Sequence, residues 1–203
     1  MLSKRQLAII LSQLKGFDRP NIKLEQYATD SEIAAEILHN AYLKGDINGK
    51  IIADLASGPG IFGIGCLLLD ARKVYFVDKD EVILKTLQEN LNSLNIKKEK
   101  YEIIKEDVRK FTIAVDVVMK NPPFGTKEKH HDKIFLEHAF FLAPVIYSIH
   151  KATSLKFVQA LSKDYNFKIK EIMEFYFPLP KSQEFHRKKV KYIKTHCYIF
   201  VKK

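Results

Sequence analysis

The chain reads Ile52-Ala53-Asp54-Leu55-Ala56-Ser57-Gly58-Pro59-Gly60-Ile61 at the point where an apolar run meets two closely spaced glycines. The apolar residues before the glycines predict a buried strand, and those after Gly60 predict a helix. Gly58 and Gly60 let the backbone turn tightly and approach a ligand closely, because neither carries a side chain. This order of strand, turn and helix is typical of a parallel α/β sheet with a ligand at the end of its first strand.

The charge around this turn indicates which ligand to expect. Glycine-rich turns commonly hold dinucleotides, but the spacing here is not G-x-G-x-x-G, and Asp54 lies at the strand end. A carboxylate at that position disfavours a pyrophosphate and favours a cation. The turn therefore predicts S-adenosyl-L-methionine as the cofactor, because its sulfonium and amino groups are positively charged.

Strands and helices alternate from residue 50 onward, which predicts a parallel sheet with helices on both faces. Short strands are expected at residues 51–55, 74–77, 101–104, 115–119 and 144–148. Helices are expected at residues 61–69, 81–94, 133–142 and 153–161. Two further strand-like runs, 167–177 and 191–201, have no helix between them and predict an antiparallel hairpin. The expected fold is α/β: the Rossmann-like class I methyltransferase plan, a mostly parallel seven-stranded sheet that ends in an antiparallel hairpin.

Residues 1–49, ahead of the first strand, predict a helical extension. One helix is expected over residues 3–14, and Asp30 or Ser31 can cap a second. The 203 residues, 46% of them hydrophobic, suffice for one sizeable core. Because no linker, repeat or low-complexity segment interrupts the pattern, we expect residues 1–203 to form a single domain.

The composition argues against several classes of protein. No run approaches the roughly 18 apolar residues that a membrane helix needs, and the amino terminus lacks the layout of a signal peptide. Cys66 and Cys197 suggest neither a disulfide framework nor a zinc site. We expect a cytoplasmic protein without a membrane partner. Lys129-His130-His131-Asp132 contains metal-ligating residue types but no further ligands accompany it, so a substrate-covering loop is favoured and no metal is expected.

The net charge of +10 is concentrated near the carboxyl terminus. Residues 181–203 carry eight Lys or Arg side chains against the single acid Glu184, which leaves +7 of the total. Such a segment favours RNA as a partner, because phosphate neutralisation releases counterions, and interleaved aromatic rings strengthen that interpretation. A solubilising surface is the alternative. The residues expected to contact RNA are Lys181, Phe185, His186, Arg187, Lys188 and Lys189.

Acidic residues follow the next two predicted strands. Asp78 stands about 20 residues after the glycine turn, where a carboxylate in this fold accepts both ribose hydroxyls. Asp107 follows the third strand and could accept from the adenine amino group of the cofactor. Each acid alone is more often a helix cap, as we expect for Asp80. Their order at successive strand ends favours a cofactor site.

A second motif, Asn121-Pro122-Pro123-Phe124, follows the apolar run 113–119, which is expected to be a buried strand. The two prolines stiffen the loop and remove two backbone donors, which leaves carbonyls and the Asn121 amide as acceptors. Phe124 offers a face on which a base can stack. Such a turn holds an amino group still while it is methylated. A simple strand-terminating turn is the alternative for this motif in isolation.

These motifs resemble the methyltransferase-like protein 5 family, the archaeal and eukaryotic enzymes that methylate adenine N6 in small-subunit ribosomal RNA. The resemblance covers nearly the whole chain. It rests on Leu24-Glu25-Gln26-Tyr27 with Thr29, Ala53-Asp54-Leu55, Asn121-Pro122-Pro123-Phe124-Gly125-Thr126-Lys127, Tyr147-Ser148-Ile149-His150-Lys151 and Phe185-His186-Arg187-Lys188-Lys189. The family's turn usually begins with Gly and carries Cys residues, where this chain has Ala56, Ser57 and Pro59.

The resemblance implies a role for each matching residue. Gln26 and Thr29 would close over the methionine end of S-adenosyl-L-methionine, and Asp78 would hold its ribose. The residues implied to line the rest of the cofactor are Ala56, Pro59 and Ile61, with Asp107 and Val108 at the adenine. The Asn121 side-chain oxygen and the Pro122 carbonyl would accept both hydrogens of the target amine, with Phe124 stacked on the base. A small zinc-binding activator subunit is known for eukaryotic relatives, and the sequence leaves open whether this chain needs one.

Two other functions remain open at the level of the sequence. Protein glutamine methyltransferases share the Asn-Pro-Pro turn, but they typically carry Tyr at the position of Phe124 and a longer helical domain before the core. A non-catalytic RNA-binding ribosome assembly factor could keep this fold, although the presence of both Asn121 and Asp78 argues against a decayed site.

Overall fold

The computed structural model describes residues 2–17, 29–121, 131–179 and 191–203. The helices in these ranges are α1 Lys4–Ser12, α2 Ser31–Leu43, α3 Ile61–Leu68, α4 Glu81–Ser93, α5 His131–Leu142 and α6 Leu155–Asp164. The strands are β1 Ile51–Leu55, β2 Lys73–Asp78, β3 Tyr101–Lys105, β4 Val117–Lys120, β5 Val145–Lys151, β6 Phe167–Leu179 and β7 Lys191–Lys202.

The seven strands form one sheet in the order β3-β2-β1-β4-β5-β7-β6. Strands β1 to β5 run parallel, whereas β7 pairs antiparallel with both β5 and β6. The predicted α/β fold with a carboxyl-terminal hairpin is therefore confirmed. The strand order reverses direction between β1 and β4, and in open α/β sheets ligands bind in the crevice beyond the carboxyl ends of such a strand pair.

Two hydrophobic clusters cover the two faces of this sheet. The first cluster combines the sheet with α1, α2, α3 and α4, and the second combines it with α5 and α6. Strand β4 contributes Val117 and Met119 to the first cluster and Val118 to the second, because successive side chains of a strand point to opposite faces. The amino-terminal helices thus share one core with the sheet.

Local capping decides where the helices begin. The Ser3 hydroxyl accepts from the backbone N–H of Gln6, whose side chain in turn accepts from the N–H of Ser3, which forms a capping box. Asp30, and not Ser31, caps α2 by accepting from the N–H groups of Glu32 and Ile33. Asp80 caps α4, as the sequence predicted.

The strand predicted over residues 113–119 is shorter than expected. Strand β4 begins only at Val117, and Ile113 is 41% exposed. The N–H groups of Val115 and Asp116 bond to the carbonyls of Leu142 and Ile51, outside the strand ladder. The apolar, β-branched run predicted a strand over its whole length, but its first residues only lead into β4. Apolar character does not show which backbone groups find hydrogen-bond partners in a sheet.

Other element boundaries also differ from the sequence prediction, most of them by one or two residues. Helix α1 ends at Ser12 instead of residue 14, and α6 begins at Leu155 because a short 3₁₀ turn precedes it. Strand β5 extends to Lys151 because β7 continues to pair with it there. Side-chain contacts also join α2 to the hairpin: Lys44 Nζ lies 2.7 Å from Glu171 Oε2. Within the described residues, no helix is long and apolar enough to cross a membrane.

Candidate active site

A cavity of about 280 Å³ lies beyond the carboxyl ends of β1 and β4. Its lining brings together predicted residues that are far apart in sequence: Thr29, Ala56, Gly58, Pro59, Ile61 and Asn121. Asp54 and Ser57 also line it, as does the segment that follows α1, from Leu14 to Phe17. The site therefore lies where the strand order reverses, as expected for this class of sheet.

The turn between β1 and α3 has an unusual backbone. Ala56, Gly58 and Gly60 all adopt positive φ angles, of 57°, 53° and 92°. Glycine tolerates this region without penalty, but for alanine it is strained. A Cβ atom at Gly60 would also overlap the Leu87 side chain, so both conformation and space require glycine there.

Asp78 holds this turn in place from the end of β2. One carboxylate oxygen accepts the N–H of Gly58 at 2.9 Å, and the other accepts the N–H of Asp80 at 3.0 Å. Burial raises the pKa of the Asp78 carboxyl, and these backbone donors partly offset that rise. Asp78 is absent from the cavity lining in this conformation, but each oxygen retains a lone pair for a ligand hydroxyl.

Asp54 is a buried carboxyl at the cavity, only 2% exposed. It accepts the N–H of Gly63 at 2.8 Å, one of the amino-terminal donors of α3 that has no partner within the helix. Burial raises the pKa of Asp54 to about 8, the Gly63 N–H opposes that rise, and the charge of Asp78 adds to it. A cation that enters the cavity would favour the ionised form of Asp54 and lower this pKa, whereas an anion would oppose its ionisation.

Asn90 joins three segments around the glycine turn, a role that the sequence pattern did not predict. Its side-chain oxygen accepts the N–H of Lys15 at 2.8 Å, and its amide group donates to the carbonyls of Lys15 and Pro59, both at 3.0 Å. Asn90 is 2% exposed and lies on the buried face of α4. Its position among the apolar residues of an amphipathic helix could have indicated this role, because a buried polar side chain needs hydrogen-bond partners.

Asn121 and Thr29 meet at the end of β4. The Asn121 side-chain nitrogen donates to Thr29 Oγ1 at 2.8 Å. The Asn121 Oδ1 atom is buried and has no hydrogen-bond partner within the described parts of the chain. Ser57 Oγ, also on the cavity, is in the same condition. Buried polar atoms are normally paired, so two unpaired atoms on one cavity indicate a place for a ligand.

Asp107 and Val108 lie after β3, and neither is among the cavity residues. The Asp107 carboxylate contacts Arg109 through two side-chain bonds, at 2.8 and 2.6 Å, and caps the short 3₁₀ turn that begins at Val108. The Arg109 guanidinium holds the pKa of Asp107 well below its usual range. The structure therefore shows Asp107 as a helix cap, which was the alternative to contact with the adenine of the cofactor.

Several predicted residues lie outside the described part of the chain. They are Gln26, Pro122, Pro123, Phe124, Lys181, Phe185, His186, Arg187, Lys188 and Lys189. The same holds for Lys129 and His130 of the candidate metal-ligating stretch. Among the residues that the structure does describe, no group of three or more His, Cys, Asp or Glu could hold a metal ion.

Comparison with known proteins identifies the family. A profile of the family described as Conserved hypothetical protein 95 matches residues 32–157. The rRNA N(6)-adenosine-methyltransferase METTL5 of Danio rerio is 34% identical over 91% of this chain and 92% of its own length. The chain belongs to the METTL5 family. The resemblance drawn from the sequence motifs is therefore confirmed.

Two further proteins match this chain over similar lengths. The uncharacterized protein MJ0284 of Methanocaldococcus jannaschii is 33% identical over 94% of this chain and 90% of its own length. The crystal structure of PH1948 from Pyrococcus horikoshii superposes with a TM-score of 0.90 at 41% identity, and covers 100% of this chain and 98% of that one. The Rossmann-like methyltransferase fold predicted for this chain is thus confirmed.

Proposed function

We propose that this protein transfers a methyl group from S-adenosyl-L-methionine to the N6 amino group of an adenosine in RNA, and that this RNA is the small-subunit ribosomal RNA. The observation that carries the proposal is that Asn121 lines the cavity where β1 and β4 diverge, and that its buried Oδ1 atom has no hydrogen-bond partner among the residues the structure describes. The METTL5 relatives, which are named as rRNA N(6)-adenosine-methyltransferases, support a ribosomal adenosine as the target, and the choice of the small subunit rests on the resemblance of the sequence motifs.

The residues around the cavity fit the proposed cofactor. A cation in the cavity would favour ionisation of the buried Asp54 carboxyl. The Ser57 hydroxyl, which has no hydrogen-bond partner among the described residues, can bond to the polar end of the cofactor. Ala56, Gly58, Pro59 and Ile61 would contact it along the turn, with Asp78 at the ribose. Gln26, Gly60, Asp107 and Val108 complete the proposed set. When bound, S-adenosyl-L-methionine supplies an electrophilic methyl group on its sulfonium.

The task of the protein is to hold the target amine and to increase its electron density. The exocyclic nitrogen of adenine is a poor nucleophile because its lone pair is delocalised into the ring. A hydrogen bond to the Asn121 oxygen draws an N–H hydrogen away, which builds negative charge on nitrogen and favours a pyramidal geometry. We propose that the Pro122 carbonyl accepts the second hydrogen, that Pro123 stiffens the loop and that Phe124 stacks on the unstacked base.

The sheet order suggests where the RNA approaches. Strands β1 and β2, which carry the cofactor residues, lie on one side of β4, whereas β5 and the β6–β7 hairpin lie on the other. Strands are spaced about 4.8 Å apart, so the hairpin begins roughly 10 Å from β4. We propose that the basic residues between β6 and β7 contact the RNA backbone, that residues 1–203 act as one domain, and that the activity is cytoplasmic.

Replacement of Asn121 tests the proposed reaction. In Asn121→Ala, methylation of a ribosomal RNA fragment should fall at least about a hundredfold, the usual effect of losing one group that stabilises transition-state charge. Binding of S-adenosyl-L-methionine by isothermal titration should change little. Asn92→Ala, at an exposed position of α4, is the matched control and should keep the parental rate.

The product distinguishes the proposed reaction from its alternatives. N6-methyladenosine in the RNA, detected by mass spectrometry, supports it. Methylglutamine in a protein fraction would favour glutamine methylation instead, because an Asn-Pro-Pro turn can hold that amide as well. RNA binding without any methylated product would favour an assembly factor. Methylation that begins only when a small zinc-binding protein is added would support the activator subunit.

A further inference from the structure

The orientation of the Asn121 amide decides whether the proposed site works. An amide presents an oxygen acceptor on one side and an NH₂ donor on the other. If Oδ1 faces the target amine, it accepts an N–H hydrogen. If the amide were rotated by 180°, Nδ2 would face that amine, and two donors would oppose each other. A group that fixes this rotation therefore contributes to the reaction that we propose.

Thr29 is the described residue whose hydroxyl bonds to the Asn121 side-chain amide. A hydroxyl can bond to either side of an amide, and in this structure it accepts from the NH₂ side. Thr29 Oγ1 accepts from Asn121 Nδ2 at 2.8 Å, and Asn121 Oδ1 finds no partner among the described residues although Asn121 lines the cavity. The two residues are 92 positions apart in the chain. The contact therefore exists only because α2 begins beside the end of β4.

The start of α2 is itself fixed. Asp30, directly after Thr29, accepts the N–H groups of Glu32 and Ile33 at 2.9 and 3.2 Å. Buried residues of α2, including Ala34, Ile37 and Leu38, pack in the hydrophobic cluster that the helix shares with the sheet. Thr29 thus stands on a capped, packed helix end, where its hydroxyl has little freedom to leave Asn121.

From this geometry we infer that Thr29 is a positioning residue that holds the Asn121 amide with its oxygen toward the target amine. The inference rests on the proposed function and adds to it. It also differs from the role that family resemblance implies for Thr29, which is contact with the methionine end of the cofactor. The two roles predict different consequences when the hydroxyl is removed.

Two substitutions separate these roles. Thr29→Val keeps the shape of the side chain but cannot bond to Asn121, and Thr29→Ser keeps the hydroxyl. With RNA and S-adenosyl-L-methionine both saturating, Thr29→Val should lower kcat by roughly three- to tenfold, the factor that one hydrogen bond carries. Its affinity for S-adenosyl-L-methionine, measured by isothermal titration, should stay within about twofold of the parent. Thr29→Ser should restore most of kcat.

A spectroscopic measurement tests the contact without the reaction. In ¹⁵N-labelled protein, the side-chain NH₂ signals of Asn121 are assigned by their loss in Asn121→Ala. Thr29→Val should shift these signals and speed their exchange with water, whereas Thr29→Ser should not. This measurement also serves if the parent protein methylates no adenosine, a result that would refute the proposed function and not the contact.

Two results would overturn the inference. An unchanged kcat and unchanged Asn121 signals in Thr29→Val would show that the hydroxyl does not hold the amide. A loss of affinity for S-adenosyl-L-methionine with kcat retained at saturation would assign Thr29 to the cofactor instead. Thermal unfolding of each variant confirms that the compared proteins are folded.

Discussion

Replacement of Asp54 by Asn should remove a pH dependence of stability that arises in the ligand-free cavity. In the folded protein, burial raises the pKa of Asp54 to about 8 from an ordinary value of 3.8. Between these two values the unfolded chain carries an ionised carboxylate, whereas the folded protein keeps a proton on it. Folding therefore takes up a proton, and stability falls as the pH rises from about 4 to about 8.

The expected size follows from the width of this window. Each pH unit within it costs about 1.4 kcal/mol, so Asp54 should lower the free energy of unfolding by roughly 2–3 kcal/mol between pH 5.5 and pH 7.5. Asn stays neutral at both values and can still accept the N–H of Gly63 through its oxygen. The difference in stability between Asp54→Asn and the parent should therefore grow by that amount over this interval.

Urea denaturation at the two pH values measures the effect. Other titrating groups act on both proteins, so they cancel in the difference between variant and parent. Asp164→Asn, at an exposed position of α6, controls for the loss of one surface carboxylate. A difference between Asp54→Asn and the parent that is the same at pH 5.5 and pH 7.5 would refute the raised pKa of Asp54 and, with it, the proton that we expect on this carboxyl in the ligand-free protein.

Two further predictions concern the glycine turn and the basic segment. Ala56→Gly should raise the free energy of unfolding by about 0.5–1 kcal/mol, because Gly relieves the positive φ of 57° and this gain exceeds its entropic cost. The control Ala160→Gly, at an exposed position inside α6, should instead lower the free energy of unfolding by about 1 kcal/mol. If both variants are destabilised in urea titrations, Ala56 is not strained. Neutralising Arg187, Lys188 and Lys189 together to Gln should weaken RNA binding and reduce its salt slope by about 0.7–0.9 for each phosphate that is no longer neutralised. The same change at Lys97, Lys98 and Lys100, beside the opposite sheet edge at β3, should leave the slope unchanged, and equal slopes in both triple variants would make the basic segment a solubilising surface.

The order of elements and the position of the cofactor turn could be predicted from the sequence. Strand β1 matches its predicted bounds of 51–55, because a short apolar run ends directly at residues with turn chemistry. The cap at Asp80 was also predictable, since a helix cap depends on residues two or three positions away. Strand β4 was overextended to residue 113, because apolar character does not reveal which backbone groups find a partner.

By itself, then, the sequence determined the features that depend on neighbouring residues: the alternation of strands and helices, the glycine turn, the Asn-Pro-Pro motif and the charge of the carboxyl-terminal segment. Only the tertiary structure decided that Asp54 is buried, that Asn90 joins the segment after α1 to the turn, and that Thr29 meets Asn121. The physical reason is the distance along the chain over which each kind of interaction acts. Periodicity and turn chemistry act over a few residues, whereas these contacts depend on how helices α1, α2 and α4 pack on one face of the sheet.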